Sequence, residues 1–361
     1  MSPKLSRREI IKTLAASAMA PALAAESGIK IGLGMLDLSD ATLKFTRQLG
    51  LEWIATPAQY LLDSHPRGLV PAVGGAPGNA GGPWKEGEIR RINERVESFG
   101  LHLGVLPMRG IPHVILDTPE RDRDIEYARE SIRIAGRLGI PVLEYNFQAI
   151  RASSGYSVVP GRGGSELRSF DYERIKNLPP LPAVGEVSRE ELWKRLTYFL
   201  KAVVPVAEQA GVRLALHPND PPVEQFRGTG LPLRSLADLK RLVDVVRSPS
   251  NGITLDTGVT REMGENVAET IRYFGKRDCI NHVHFRNVWL KTPYTDYTET
   301  FIDEGDNDML AAMRAFREVS YSHMLIPDHT PQLSVDSAEQ WAGWAFAVGY
   351  IKALLKAAET K

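Results

Sequence analysis

The sequence predicts a single (β/α)8 TIM barrel over residues 28–361, with long βα loops at its C-terminal face. Three observations carry that prediction. From Ile29 onward strand-like and helix-like pieces alternate without a break, and eight of them read as strands. Links from helix to strand are short, whereas links from strand to helix are long. The last four strands each end in a metal-type ligand, and all four ligands share one facing parity.

The strands read from the sequence are Ile29–Gly34, Leu51–Ala55, Leu101–Leu106, Val142–Tyr145, Arg213–His217, Gly252–Asp256, Asn281–Phe285 and Met324–Pro327. Between them, apolar residues at three- and four-residue spacing mark helices such as Ile125–Leu138, Leu192–Gln209, Leu236–Val246, Val267–Phe274 and Met309–Val319. A last helix, Ala338–Ala358, would close the ring. Gly50, Gly100, Gly139-Ile140-Pro141 and Gly211 form the short links. The long ones are Arg67–Gly87, Asn146–Ser188, Asn219–Arg234 and Asn287–Asn307. Insertions gathered on one face are how a barrel builds a site over its strand ends. A doubly wound sheet is excluded, because no G-x-G-x-x-G follows the first strand and the βα units are too many for half of one.

Composition narrows the partners. The 361 residues are 43% hydrophobic and 24% charged, as in an ordinary globular protein. Lys+Arg 44 balance Asp+Glu 44, so no global basic field draws nucleic acid or anionic lipid. A small molecule is the expected partner, and a homo-oligomer is allowed. Cys279, the one cysteine, excludes an intrachain disulfide and a thiolate zinc motif, and is expected to be buried. Residues 1–25 resemble a twin-arginine signal peptide: Ser6-Arg7-Arg8 and Lys12 precede an alanine-rich apolar run ending in Ala22-Leu23-Ala24. Export to the periplasm, with no membrane partner after cleavage, is the expectation.

Strand parity turns the ligand tips into a site. If His217, Asp256, His284 and Asp328 point inward, so do Ala215, Thr254, His282 and Ile326 two residues earlier. Leu214, Leu216, Ile253, Leu255, Val283, Phe285 and Leu325 would then face a helix layer. Two imidazoles and two carboxylates without thiolate suit a divalent ion, Mn²⁺ first, with Mg²⁺, Co²⁺, Fe²⁺ and Zn²⁺ as alternatives.

Other residues are weighed against this set. His282, one step deeper than His284, could orient a ligand. Glu144, inward at the end of the fourth strand with Asn146, could be a fifth ligand, a general base or a partner of Arg286. Arg286 suits a substrate carboxylate, which a guanidinium binds bidentately. His329 follows Asp328 and suits acid–base work near neutral pH. Asn219, Asn146 and Asn287, beside the ligand tips, are expected to bind substrate. His65, His102 and His113 read as ordinary hydrogen-bonded histidines. Asp171, Asp296, Asp303, Asp306 and Asp308 read as solvated or capping, with Asp308 placed before the Met309 helix. Trp341, Trp344 and Tyr350 read as packing residues, and Gly161–Gly164 with Arg162 as a loop that could cradle an anion.

The ordered runs resemble the mannonate dehydratase family, related in fold to the xylose-isomerase-like barrels. The resemblance rests on His217-Pro-Asn-Asp-Pro-Pro222 with Gly230-Leu-Pro232, Asn251–Leu255 leading into Thr257-Gly258, His284-Phe-Arg-Asn287, Pro327-Asp-His329 and Tyr145-Asn-Phe147. It implies metal binding by His217, His284 and Asp328, and acid–base catalysis by His329. Two departures stand out. Asp256 occupies the place of the family's usual cysteine, and the Trp/Arg/Thr and Tyr/Arg signatures expected after Phe147 and around Trp341–Tyr350 are missing. The implied reaction is dehydration of a sugar acid, D-mannonate to 2-keto-3-deoxy-D-gluconate. A xylose-isomerase-like isomerase or epimerase on the same metal site is the alternative, and a sugar- or metal-binding barrel without turnover ranks third.

Overall fold

The computed structural model describes residues 28–34, 37–56, 84–108, 110–150, 154–336 and 339–359; the expected signal segment and His65 lie outside them. Strands β1 (Lys30–Gly34), β2 (Trp53–Ala55), β3 (His102–Pro107) and β4 (Val142–Tyr145) are followed by a hairpin, β5 (Tyr156–Pro160) and β6 (Glu166–Asp171), before β7 (Arg213–Leu216). A small ribbon, β8 (Gln225–Phe226) and β9 (Thr229–Gly230), precedes β10 (Asn251–Asp256) and β11 (Ile280–His284). A second hairpin, β12 (Val288–Thr292) and β13 (Asp296–Glu299), precedes β14 (Met324–Ile326). Strands β1, β2, β3, β4, β7, β10, β11 and β14 close a parallel barrel in sequence order, β14 pairing back onto β1. These are the eight strands the sequence predicts.

Ten α-helices among the described residues surround or cap the strands. They are α1 (Asp40–Gln48), α2 (Glu86–Glu97), α3 (Pro112–Leu116), α4 (Arg121–Arg137), α5 (Arg189–Ala210), α6 (Leu236–Val245), α7 (Thr257–Glu262), α8 (Val267–Gly275), α9 (Met309–Glu318) and α10 (Trp341–Ala357). Ser188, Ser235, Asn266 and Asp308 start α5, α6, α8 and α9, each side chain accepting the backbone N–H three residues on. The short links end in Gly50, Gly100, Gly139 and Gly211 at φ 67–71°, a left-handed turn that lets the chain reverse from helix into strand at little steric cost.

Facing parity comes out as predicted. Leu214, Leu216, Ile253, Leu255, Val283, Phe285 and Leu325 join one apolar layer with Leu196, Leu200 and Val203 of α5, Leu242 of α6 and Phe274 of α8. Ala215 and Ile326 instead pack inside the barrel with Ala55, Val105, Val142 and Met324. A Cβ on Gly32 or Gly104 would lie 2.6 or 2.8 Å from the Met324 sulfur, so those two glycines make room for the thioether that fills the base. Trp341 stacks on Phe45 at 5.1 Å, tying α10 to α1.

Two of the long links, Asn146–Ser188 and Asn287–Asn307, are less irregular than the sequence suggests, and most of Arg67–Gly87 lies outside the described residues. Hairpins β5–β6 and β12–β13 join through β6 and β13, where Tyr297 pairs with Phe170, and make a four-stranded antiparallel canopy. Gly161–Gly164 is the turn of the first hairpin, with Gly161 N–H bonded to Ser165 O at 2.7 Å. Arg162 in that turn pairs with Asp303 and lies over the Phe301 ring.

Candidate metal centre

Five inward positions at the C-terminal mouth converge: Glu144 from β4, His217 after β7, Asp256 from β10, His284 from β11 and Asp328 after β14. His217 is held by Nδ1–H donating to Pro218 O at 2.7 Å. A carbonyl can only accept, so the ring is the Nδ1–H tautomer and Nε2 carries a lone pair. That lone pair faces His284 Nδ1 at 3.2 Å and Asp256 Oδ2 at 3.6 Å. Asp328 Oδ1 lies 3.4 Å and Asp256 Oδ2 3.8 Å from the same His284 nitrogen. Lone pairs arrayed this closely repel unless a cation or a proton sits among them. Ligand bonds of about 2.1 Å put neighbouring donors about 3.0–3.5 Å apart, which these spacings approach.

Proton affinity at the site tells the same story. Burial opposes a charge on His284, yet Asp328, Glu144 and Asp256 raise its pKa well above the ordinary value. Burial likewise opposes ionisation of Asp256, and Arg286 with His217 and His284 holds it well below the usual range. The pocket therefore favours positive charge at its centre, and a divalent cation would displace the proton there. His217, Asp256, His284 and Asp328 fit such an ion. Glu144 Oε1, bonded by Thr254 Oγ1 at 2.9 Å, lies 3.2 Å from His284 Nε2. That places it on the far side of the ring from Asp328, where with His217 and His284 it makes a second group of possible ligands and keeps the fifth-ligand expectation open. It does not reach Arg286, the partner the sequence allowed. His282 meets His284 edge-on at 5.0 Å and bonds Met324 O through Nδ1.

Three sequence expectations change. Arg286 does not offer a free guanidinium to a substrate: it is 2% exposed, and Nε, Nη1 and Nη2 bond Asp256, Glu262 and Asp220 at 3.0, 2.9 and 3.0 Å. Nε also lies 3.3 Å from Asp328, so this arginine braces two of the proposed ligands. Gly258 allows the fit, since a Cβ there would come within 2.6 Å of Nη1. Asn219, 1% exposed, spends its amide on Leu233 N and Gln148, closing the loop after β7. Asn287 accepts from Val288 N and Asn307 N and donates to Ile302 O and Asn307 O, tying the second excursion to the barrel. Asn287 thus fills both donor and both acceptor positions of its amide, while Asn219 is buried with protein partners on both its oxygen and its nitrogen. Asn146 stays half-buried just past β4.

His329 lies on a cavity of about 290 Å³ that it shares with Asp328. Its Nδ1 is 2.9 Å from Glu299 Oε2 and its Nε2 3.5 Å from Asp328 Oδ2. Trp344, read as packing, lines the same cavity. Residues not singled out from the sequence complete the surroundings. Asp220 takes the Tyr156 and Tyr297 hydroxyls at 3.0 and 2.9 Å, and burial beside Asp220 raises the pKa of Glu262 well above the ordinary value. Arg168 and Glu299 come from the canopy. Neither Val288–Thr292 nor Glu166–Asp171 alternates apolar and polar residues, so the sequence carried no strand signal there. The bland readings stand elsewhere: His102 packs on Trp53, His113 bonds Thr118, Asp308 caps α9, and buried Cys279 has its pKa pushed up to about 12 by burial.

Comparison with known proteins decides the family. A profile of D-mannonate dehydratase (UxuA) matches residues 59–182 and 165–360. The chain belongs to the D-mannonate dehydratase family. It is 33% identical over 302 residues to mannonate dehydratase of Thermotoga neapolitana, covering 73% of this chain and 81% of that one. It is 30% identical over 356 residues to mannonate dehydratase of Enterococcus faecalis, covering 86% and 98%. The crystal structure of the Streptococcus suis serotype 2 mannonate dehydratase superposes with a TM-score of 0.79 at 27% identity, covering 91% of this chain and 95% of that one. L-ribulose 3-epimerase, at 18% identity and a TM-score of 0.56 over 92% and 96%, shares the fold.

Proposed function

We propose that this member of the dehydratase family is an exported, divalent-metal-dependent hydro-lyase that converts D-mannonate to 2-keto-3-deoxy-D-gluconate. The observation that carries the reading is the meeting of His217, Asp256, His284 and Asp328 at one barrel mouth in a chain of this family. The oxygen and imidazole donor set without thiolate favours Mn²⁺. A bound cation supplies Lewis-acid stabilisation for the negative charge that develops as the C2 proton leaves.

The chain's own residues do the rest. Arg286 holds Asp256 and Asp328 in place from behind. Glu144 orients His284, and Pro218 O orients His217. His329, exposed to the cavity, moves protons between the acid and solvent; burial works against its charge, but Asp328 and Glu299 raise its pKa. The balance is one proton lost from C2 and the 3-hydroxyl leaving as water, and the resulting enol ketonises to the 2-keto acid.

Purified protein loaded separately with Mn²⁺, Mg²⁺, Co²⁺, Fe²⁺ and Zn²⁺ is expected to yield the 2-keto acid from D-mannonate, best with Mn²⁺. No product with any of these ions rejects the reading. Export rests on Ser6–Lys12 and Ala22–Ala24. The full chain is expected in the periplasm and the chain lacking residues 1–25 in the cytoplasm, and cytoplasmic retention of both rejects export.

A further inference from the structure

Arg286, the guanidinium the sequence offers for an acid substrate, is buried and spent on carboxylates. A sugar acid would still need a cationic partner for its carboxylate beyond the metal. Of the side chains described as lining the cavity beside Asp328 and His329, Arg168 is the one that carries a fixed positive charge. It stands on β6, a strand paired on both edges by β5 and β13, so its backbone is rigid. Its guanidinium is pinned on two sides, with Nη1 bonded to Glu299 Oε1 at 3.1 Å and its face lying 3.6 Å over the Tyr156 ring. Nε and Nη2 lie outside that bond, and the side chain is 43% exposed. Glu299 serves both walls, because its other oxygen lies 2.9 Å from His329 Nδ1.

We infer that Arg168 is the specificity-determining residue of this site, binding the carboxylate of the acid substrate while Glu299 positions Arg168 and His329 side by side. A guanidinium seated over an aromatic ring and tied to a carboxylate is pre-organised, so little rotamer freedom is lost when a second carboxylate docks on its remaining N–H groups. The canopy then selects for an acid, while the barrel mouth beneath supplies the metal ligands. This rests on the dehydratase reading for its substrate class.

The test measures binding as well as turnover. Calorimetry on Mn²⁺-loaded protein compares D-mannonate with D-mannitol, its uncharged counterpart, for the wild type, Arg168→Gln and Arg168→Lys. Wild type is expected to prefer the acid, and Arg168→Gln to lose about tenfold or more of that preference, the scale of a charge-assisted hydrogen bond pair. In turnover its KM for mannonate should rise more than its kcat falls, with metal content unchanged. Arg168→Lys keeps the charge without the fork and should lie between. A ratio of affinities cancels any general loosening of the canopy, so misfolding cannot mimic the result. If wild type turns over mannonate and Arg168→Gln keeps the preference within about twofold, the inference falls and the dehydratase reading stands. If wild type prefers the acid, Arg168→Gln loses the preference and no keto acid forms, the reverse holds. A wild type with no preference for the acid overturns the inference.

Discussion

The same inward-facing positions do opposite work at the two ends of the barrel. At the base, Val105, Val142, Ala215 and Met324 fill the interior with apolar volume, and Gly32 and Gly104 are small because Met324 needs their space. At the mouth, one or two inward positions further along, the residues are His217, Asp256, His284 and Asp328, with Arg286 and Glu144 around them. The base gains from close packing, whereas the mouth gathers like charges whose repulsion only a cation or buried arginine relieves. Stability and chemistry are thus stacked along common strands, and substitutions at the two levels should separate them.

The sharpest break is His284→Ala, which removes the side chain on which Glu144, Asp256 and Asp328 converge. Metal content by elemental analysis should vanish, and kcat should fall on the order of a thousandfold or more. Far-UV circular dichroism should be unchanged. Met324→Ala probes the other level: with the side chain 2% exposed, the cavity left behind should cost about 2–4 kcal/mol in urea unfolding. Metal affinity should hardly move. A result in which His284→Ala unfolds the protein, or Met324→Ala strips the ion, would dissolve the division between the levels.

The smallest effect concerns the base alone. Burial, with help from Arg213, lowers His323 to about 4 from an ordinary 6.5. A histidine depressed in the folded state binds its proton more readily when unfolded, so stability falls as pH drops from about 6.5 towards 4. His323→Gln should flatten that limb, the difference growing by about 2 kcal/mol between pH 7 and pH 5. An equal loss of unfolding free energy from pH 7 to pH 5 in wild type and His323→Gln, measured by urea titration, would remove His323 from the acid response.

Much of this was legible because strand parity is local. A hydrophobic run tipped by a ligand states both its register and its facing, which is why all eight barrel strands and the convergence of His217, Asp256, His284 and Asp328 can be read from the chain. The canopy could not be, since β6 meets β13 across more than a hundred residues and that pairing joins two otherwise separate hairpins into one sheet. Arg286, Asn219 and Asn287 look like substrate groups in a motif, but their neighbours Asp220, Glu262, Leu233 and Asn307 arrive from elsewhere and consume them. Burial of a polar group depends on who else comes to it, and spacing alone does not say.

The canopy is stitched from two excursions that leave different strands of the barrel, through the backbone bonds of β6 and β13. Its side chains nevertheless reach down to the rim, Tyr156 and Tyr297 through Asp220 and Glu299 through His329. The mouth is thus roofed by outgrowths of its own barrel, and any guest meets that awning and the candidate ligand Asp328 in a single chamber.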